Sequence, residues 1–228
     1  MVVSATYTGD LNAAEIFTEA FEQCEIFGPA LTELHLDSAR RSLNLLFSDW
    51  QNRGLNLWAM DQQTQALSLS TASYAAPSGT VAIIQAVIRD TLDSNRETYI
   101  SPVSRAEYLG FPTKTQTAKR PSVFYFERAM APLIFLWPIV DAVGQTLVYY
   151  RLRALSDVTT TLTQTAEVPQ RWLNAMCSGL AAKLAVKWAP LRLVDLIPLA
   201  KDAFDAAASE DRERVPLRIT PDYSWDPL

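Results

Sequence analysis

Apolar residues recur at helical spacing where the chain begins. Over residues 11–27, Ala13, Ile16, Phe17, Ala20, Phe21, Cys24 and Phe27 share one stripe, with Asp10 or Asn12 as N-cap and Gly28-Pro29 as the stop. A second amphipathic helix is predicted from a Thr32 cap through Leu36, Ala39, Leu43, Leu46, Phe47 and Trp50 to Gly54, a residue type that accepts a left-handed cap.

After Gly54 the period changes from helical to two. Leu55, Leu57 and Ala59 alternate with Asn56, Trp58 and Met60, and residues 66–71 resume the alternation after a polar turn, so strands are expected in both. Pro77-Ser78-Gly79 punctuates, and the Val/Ile-rich run from Thr80 to Arg89 suits a buried strand, with further β structure after it. Ser101-Pro102 predicts a short helix to about Leu109, with serine as cap and proline at the first helical position. Three apolar segments follow, residues 122–127, 133–137 and 146–153, and local reading makes them an antiparallel meander.

A Thr-rich linker over residues 157–165 leads back to helix near Pro169, where Trp172, Leu173, Met176, Leu180, Leu184 and Trp188 line one face before Pro190. A last helical segment spans about residues 191–208, with a kink or restart at Pro198, and residues 215–228 read as extended. Helices, then strands, then helices, with no βαβ alternation, specify the α+β class. The expected arrangement is an N- and C-terminal helical bundle (residues 1–54 plus 155–214), a central antiparallel β-sandwich or small barrel with a short inserted helix (55–154), and an extended tail (215–228).

Composition narrows the function classes. A chain of 228 residues that is 49% hydrophobic can bury a core, and a net charge of -5 argues against a surface built to grip nucleic acid. No signal-peptide pattern opens the chain, and the apolar run at residues 129–140, broken by two prolines, falls short of the roughly 20 residues a bilayer span needs, so no membrane anchor is expected. Cys24 and Cys177 match no metal or redox spacing and are read as small buried hydrophobes.

Catalytic, metal and cofactor signatures are absent. His35 is the only histidine, which removes Ser-His-Asp triads and sites needing two imidazoles, and its place at a helix start suits a hydrogen-bonded structural role. Seven glycines form no phosphate-cradling loop or nucleophile elbow. Lys114, Lys119 and Arg120 form a basic cluster without interleaved aromatics, which reads as a solvated loop, while Arg40-Arg41 and Arg151 with Arg153 read as a helix face and a strand face. Lys119, Arg120, Arg151 and Arg153 are the candidates for pairing with carboxylates across a subunit boundary.

Six tryptophans are the more informative excess, because aromatics concentrate energy at interfaces. Trp225 lies in a tail whose three prolines preclude a stable helix. That tail is either a strap over the protein's own surface or a docking peptide with apolar teeth, Leu217, Ile219, Tyr223, Trp225 and Leu228.

Four stretches together resemble the head-to-tail connector adaptors of tailed bacteriophages, the tail accessory or tubular adaptor proteins of short-tailed phages. They are residues 39–54 running into Leu55-Asn56-Leu57-Trp58, the helix entry at 100–108, the strand pair 120–127 and 133–138, and residues 146–151. Their order and spacing carry the resemblance across roughly residues 11–154. It implies a structural virion protein without catalytic activity or cofactor, forming a ring of identical subunits, usually a dodecamer, beneath the portal protein. The resemblance further implies a downstream tail or nozzle protein as partner, and double-stranded DNA passing through the channel without sequence-specific binding. In that family the C-terminal segment commonly reaches the portal, a role that falls here on residues 216–228. A tail-tube or other tail module is the alternative, and a peptidoglycan hydrolase using two carboxylates a more distant one.

Overall fold

The computed structural model describes residues 11–53 and 57–211. Five α-helices and nine strands follow in chain order: α1 Ala13–Gln23, α2 Glu33–Asn52, β1 Met60–Ala66, β2 Ser73–Ala75, β3 Thr80–Asp90, β4 Arg96–Pro102, α3 Arg105–Gly110, β5 Thr117–Ala118, β6 Val123–Glu127, β7 Leu133–Trp137, β8 Ile139–Val140, β9 Gln145–Arg153, α4 Gln170–Trp188 and α5 Leu193–Glu210. The α+β class expected from the periodicities is the class observed.

Two separate hydrophobic cores organise these elements. In the helical core α4 is central, flanked by α1, α2 and α5. Trp172, Met176, Leu180, Ala181, Leu184 and Ala185 of α4 are all fully buried, and a helix apolar on more than one face must be covered on more than one side. Ile16, Phe17, Ala20 and Phe21 come from α1, and Ala39, Leu43, Leu46, Phe47 and Trp50 from α2. Trp172 meets Trp50 at 5.0 Å, Trp58 at 5.1 Å and Phe204 at 5.4 Å between ring centroids. The tryptophan excess is thus largely explained by core packing, where large rings add more than their area alone.

The second core lies inside a curled seven-stranded sheet of order β1-β9-β3-β4-β6-β7-β2. Its inward residues alternate as a half-buried strand requires: Ala86 and Ile88 of β3 pair with Tyr149 and Leu147 of β9, Ile100 of β4 pairs with Ala86, and Phe124 of β6 pairs with Leu136 of β7. Within this sheet all pairs are antiparallel except β4 with β6, where Ser101 and Pro102 run parallel to Val123 and Phe124, and β5 and β8 form a separate parallel pair. A meander of the last three apolar segments does not form: β6 pairs β7, but β9 joins β1 and β3 instead.

Other local expectations shift for identifiable reasons. The first helix stops at Gln23, not Phe27, because Glu25 adopts φ 63° and the N–H groups of Glu25 and Ile26 close back on the carbonyls of Glu22 and Phe21. A glutamate in the place usually taken by glycine hides this stop. Leu57–Ala59 form a 3-10 turn rather than strand, residues 66–71 leave the ladder at Ala66, and the polar Met60–Ala66 is the edge strand. The short helix is capped by Ser104, whose Oγ accepts from the Glu107 N–H at 3.2 Å while Glu107 accepts from the Ser104 N–H at 2.7 Å. Sheet pairing recruits Ser101-Pro102 into β4 instead.

The Thr-rich linker is a packed strap. Carbonyls of Leu162 and Gln164 accept from the Ala14 and Ala13 N–H groups, satisfying donors that a helix N-terminus otherwise leaves open. Asn44 holds the strap from α2, accepting from the Val158 N–H at 2.9 Å and donating to its carbonyl at 3.2 Å.

Candidate docking surfaces

Arg151 and Arg153 sit where the two cores meet and are engaged within the subunit. Arg151 is only 8% exposed. Its Nε and Nη2 donate to Asp61 at 2.7 and 3.0 Å, and Nη1 donates to Thr80 Oγ1 at 3.0 Å. The Arg151 fork holds the Asp61 carboxyl below its ordinary range. Arg153 forks onto Glu167 in the same way, raising its own pKa and lowering that of Glu167. Beside it, Trp58 Nε1 donates to the Glu167 carbonyl at 3.2 Å. The Arg153 and Trp58 contacts join β9 and the turn before β1 to the segment ahead of α4 and so brace one core against the other, while the Arg151 fork ties β9 to β1 and β3 within the sheet.

Arg120 and Lys119 lie at the opposite end of the sheet, around Asp90. Arg120 donates to Asp90 at 3.2 Å and to Thr98 Oγ1 at 3.1 Å, and the Lys119 ammonium stands 3.3 Å from the same carboxylate. The Gln145 amide, the Leu92 N–H and Lys119 hold the Asp90 carboxyl down to about 2. Of the four basic residues expected at a boundary, Lys119 keeps most of its side chain in solvent, at 63% exposed.

That end of the sheet is a tip built from turns. Thr91 donates both its N–H and its hydroxyl to the Gly144 carbonyl at 2.8 Å, tying the β3–β4 turn to the β8–β9 turn. Gly144 has φ 80°, a conformation that favours glycine. The tie leaves Leu92 and Val143 strongly exposed near Lys119, Asp93 and Asp141. β9 runs from this tip to the joint with the helices, a span of roughly 25 Å at 3.3 Å per residue. Exposed apolar side chains on a hydrogen-bonded tip suit docking, because their burial requires little ordering.

The remaining candidates have structural roles. His35 Nδ1 accepts from the Thr32 N–H at 3.1 Å, and its ring packs between Phe21 and Trp188. Cys24 and Cys177 are buried free thiols, and burial raises both pKa values, that of Cys177 to about 11. Among the described residues no group of three or more His, Cys, Asp or Glu could hold a metal, and no helix is long and apolar enough to cross a membrane. The tail residues Leu217, Ile219, Tyr223, Trp225 and Leu228 lie outside the described residues.

Both cores fall within a single family match: the family model for the SU10 adaptor protein covers residues 12–221. This chain belongs to the SU10 adaptor protein family. It is therefore a phage head-to-tail adaptor, a structural component of the virion. No curated protein matches the chain. For an SU10 adaptor protein the distribution of contacts is informative: the polar network is concentrated at the joint and under the tip, where it stiffens the subunit. Sequence reasoning missed the exposed tip because Leu92 and Val143 belong to no periodic pattern, and only their turn geometry singles them out.

Proposed function

We propose that this adaptor forms a ring, dodecameric by resemblance, that docks beneath the portal protein, joins it to the downstream tail or nozzle protein and surrounds the DNA exit channel. The observation that carries the reading is the family match across residues 12–221, which takes in the helical core and the β core together. Residues 1–54 plus 155–214 act as one domain, 55–154 as a second and 215–228 as a tail. The helical domain faces the portal and the β tip, with Leu92 and Val143, faces the next tail component. Leu217, Ile219, Tyr223, Trp225 and Leu228 dock on the portal, and Lys119 is available to an adjoining subunit or tail component. The chain works without catalysis, and its net charge of -5 lets DNA pass through the channel without strong retention. Subunits assemble in the host cytoplasm and end in the virion neck.

Native mass spectrometry of the chain, alone and mixed with the portal ring of its phage, tests this reading. The expected result is one adaptor copy per portal subunit. Failure to associate would favour a tail-tube or other tail module. Deleting residues 215–228 should abolish portal binding, and unchanged affinity would exclude the tail as the docking element.

A further inference from the structure

The helical core presents two different faces on opposite sides of α4. One is the groove between α1 and α4, about 560 Å³, with Ala14, Thr18, Leu173 and Cys177 among its walls. Glu15, Glu19 and Glu22 rim it, all exposed and spaced to lie along one side of α1. The other face runs over α4 and α5, where Ala182, Ile197, Ala200 and Phe204 line a second groove rimmed by Arg53, Lys201 and a Lys183 that is ion-paired with Asp49. At 100° per residue, Leu173, Asn174 and Cys177 lie roughly 180° around α4 from Ala175, Gly179, Ala182 and Lys183.

The second face carries an apolar ridge that the other described residues leave uncovered. Val186 is 64% exposed, Val194 79% and Ile197 54%, and Leu191 in the turn between α4 and α5 is 93% exposed. They cluster at the α4–α5 turn, because these two helices run antiparallel through residues 189–192. A soluble chain rarely leaves such a group open without a partner.

We infer that the α4–α5 ridge of one subunit docks in the acidic-rimmed α1/α4 groove of a second copy of this chain. The charges are complementary, since with Lys183 held by Asp49 the second groove still presents Arg53 and Lys201 to a rim of three glutamates, and such pairing sets orientation and register. Two unlike faces on opposite sides of one helix make a head-to-tail contact, which repeats around a ring where a self-complementary patch would stop at a pair. The assignment rests on the ring reading above and moves the lateral contact from Arg151 and Arg153 to the helical core. α5, with 18 residues, is about 27 Å long and one helix diameter wide, so its footprint is on the order of 300 Å². That is below the roughly 800 Å² per partner of a stable pair, so isolated pairs are weak and ring closure supplies the rest.

A crosslink suits a weak contact. Glu19→Cys and Lys201→Cys are introduced together in a full chain carrying Cys177→Ser, since Cys177 lines the same groove as Glu19, and the protein is oxidised alone at high concentration and on the portal ring, with each single variant as control. A ladder of oligomers is expected on a denaturing gel from the double variant only. In parallel, Glu19→Lys or Lys201→Glu alone should lower ring yield on the portal about tenfold, and the two combined should recover most of it. A missing ladder and unchanged yield while the wild-type chain forms rings would overturn this face and leave the ring reading standing. A wild-type chain that never oligomerises, even on the portal, would overturn both. If Ile197→Asp lowers the thermal stability of the monomer only when residues 212–228 are present, the occupant is the chain's own tail and the proposal is overturned.

Discussion

Replacing Asp61 by Asn tests whether the Arg151 fork braces the β core, where it ties β9 to β1 and β3. The substitution keeps the shape and one acceptor oxygen but removes the charge opposite a guanidinium that is only 8% exposed. Breaking a fully buried pair costs about 3–5 kcal/mol, and the Asp61 side chain is 33% exposed, so water replaces part of the loss. A cost of about 2 kcal/mol is expected, which for a domain of this size lowers Tm by roughly 4–8 °C. Thermal unfolding followed by circular dichroism measures it. Because Arg151 holds the Asp61 carboxyl below its ordinary range, the pair's contribution is complete above the unfolded-state pKa of about 3.9 and is lost as pH falls through the folded-state value. The gap between wild type and Asp61→Asn should therefore be constant from neutral pH to about pH 5 and shrink below pH 4. Pairing Asp61→Asn with Arg151→Met should recover part of the loss, since the buried charge leaves with its partner. A Tm within 1 °C of wild type at pH 7 would refute the reasoning and show that Thr80 and solvent satisfy Arg151 without Asp61.

Leu180→Ala removes a fully buried side chain from the middle of α4 and should cost about 2–5 kcal/mol by denaturant unfolding, whereas Val194→Ala, on an exposed position, should stay within about 0.5 kcal/mol. Asn12→Ala deletes the cap whose Oδ1 accepts from the Glu15 N–H at 2.9 Å and should cost about 1 kcal/mol in the same assay. The Asp90 carboxyl, held to about 2, should titrate below pH 3 by NMR, and the stability it gives is present above pH 4 and lost toward pH 2, so Asp90→Asn should flatten acid unfolding across that window. Cys24 and Cys177, with thiol pKa values raised by burial, should resist a thiol reagent at pH 8 until the chain unfolds, and rapid native labelling would show that the helical core opens.

By itself the sequence determined the α+β class, the positions of α2, α4 and α5, the strands β3, β6, β7 and β9, the Thr32 helix start and the resemblance to phage adaptors. These rest on signals that neighbours in the chain exchange, such as a 3.6 or 2.0 period, a cap or a proline. Tertiary structure decided the rest. Met60–Ala66 is a strand although it is polar, because β9 pairs with it, and Ser101-Pro102 is strand rather than helix start because β6 lies alongside. Arg151 finds Asp61 across 90 residues of sequence, so its role as an internal brace is invisible to any local pattern. The same holds for the tip and for the two faces of the helical core, since which charged and apolar side chains stay exposed is set only when α4 is enclosed by its neighbours. Periodicity reports which residues seek burial, and packing then selects which of them remain available to a partner.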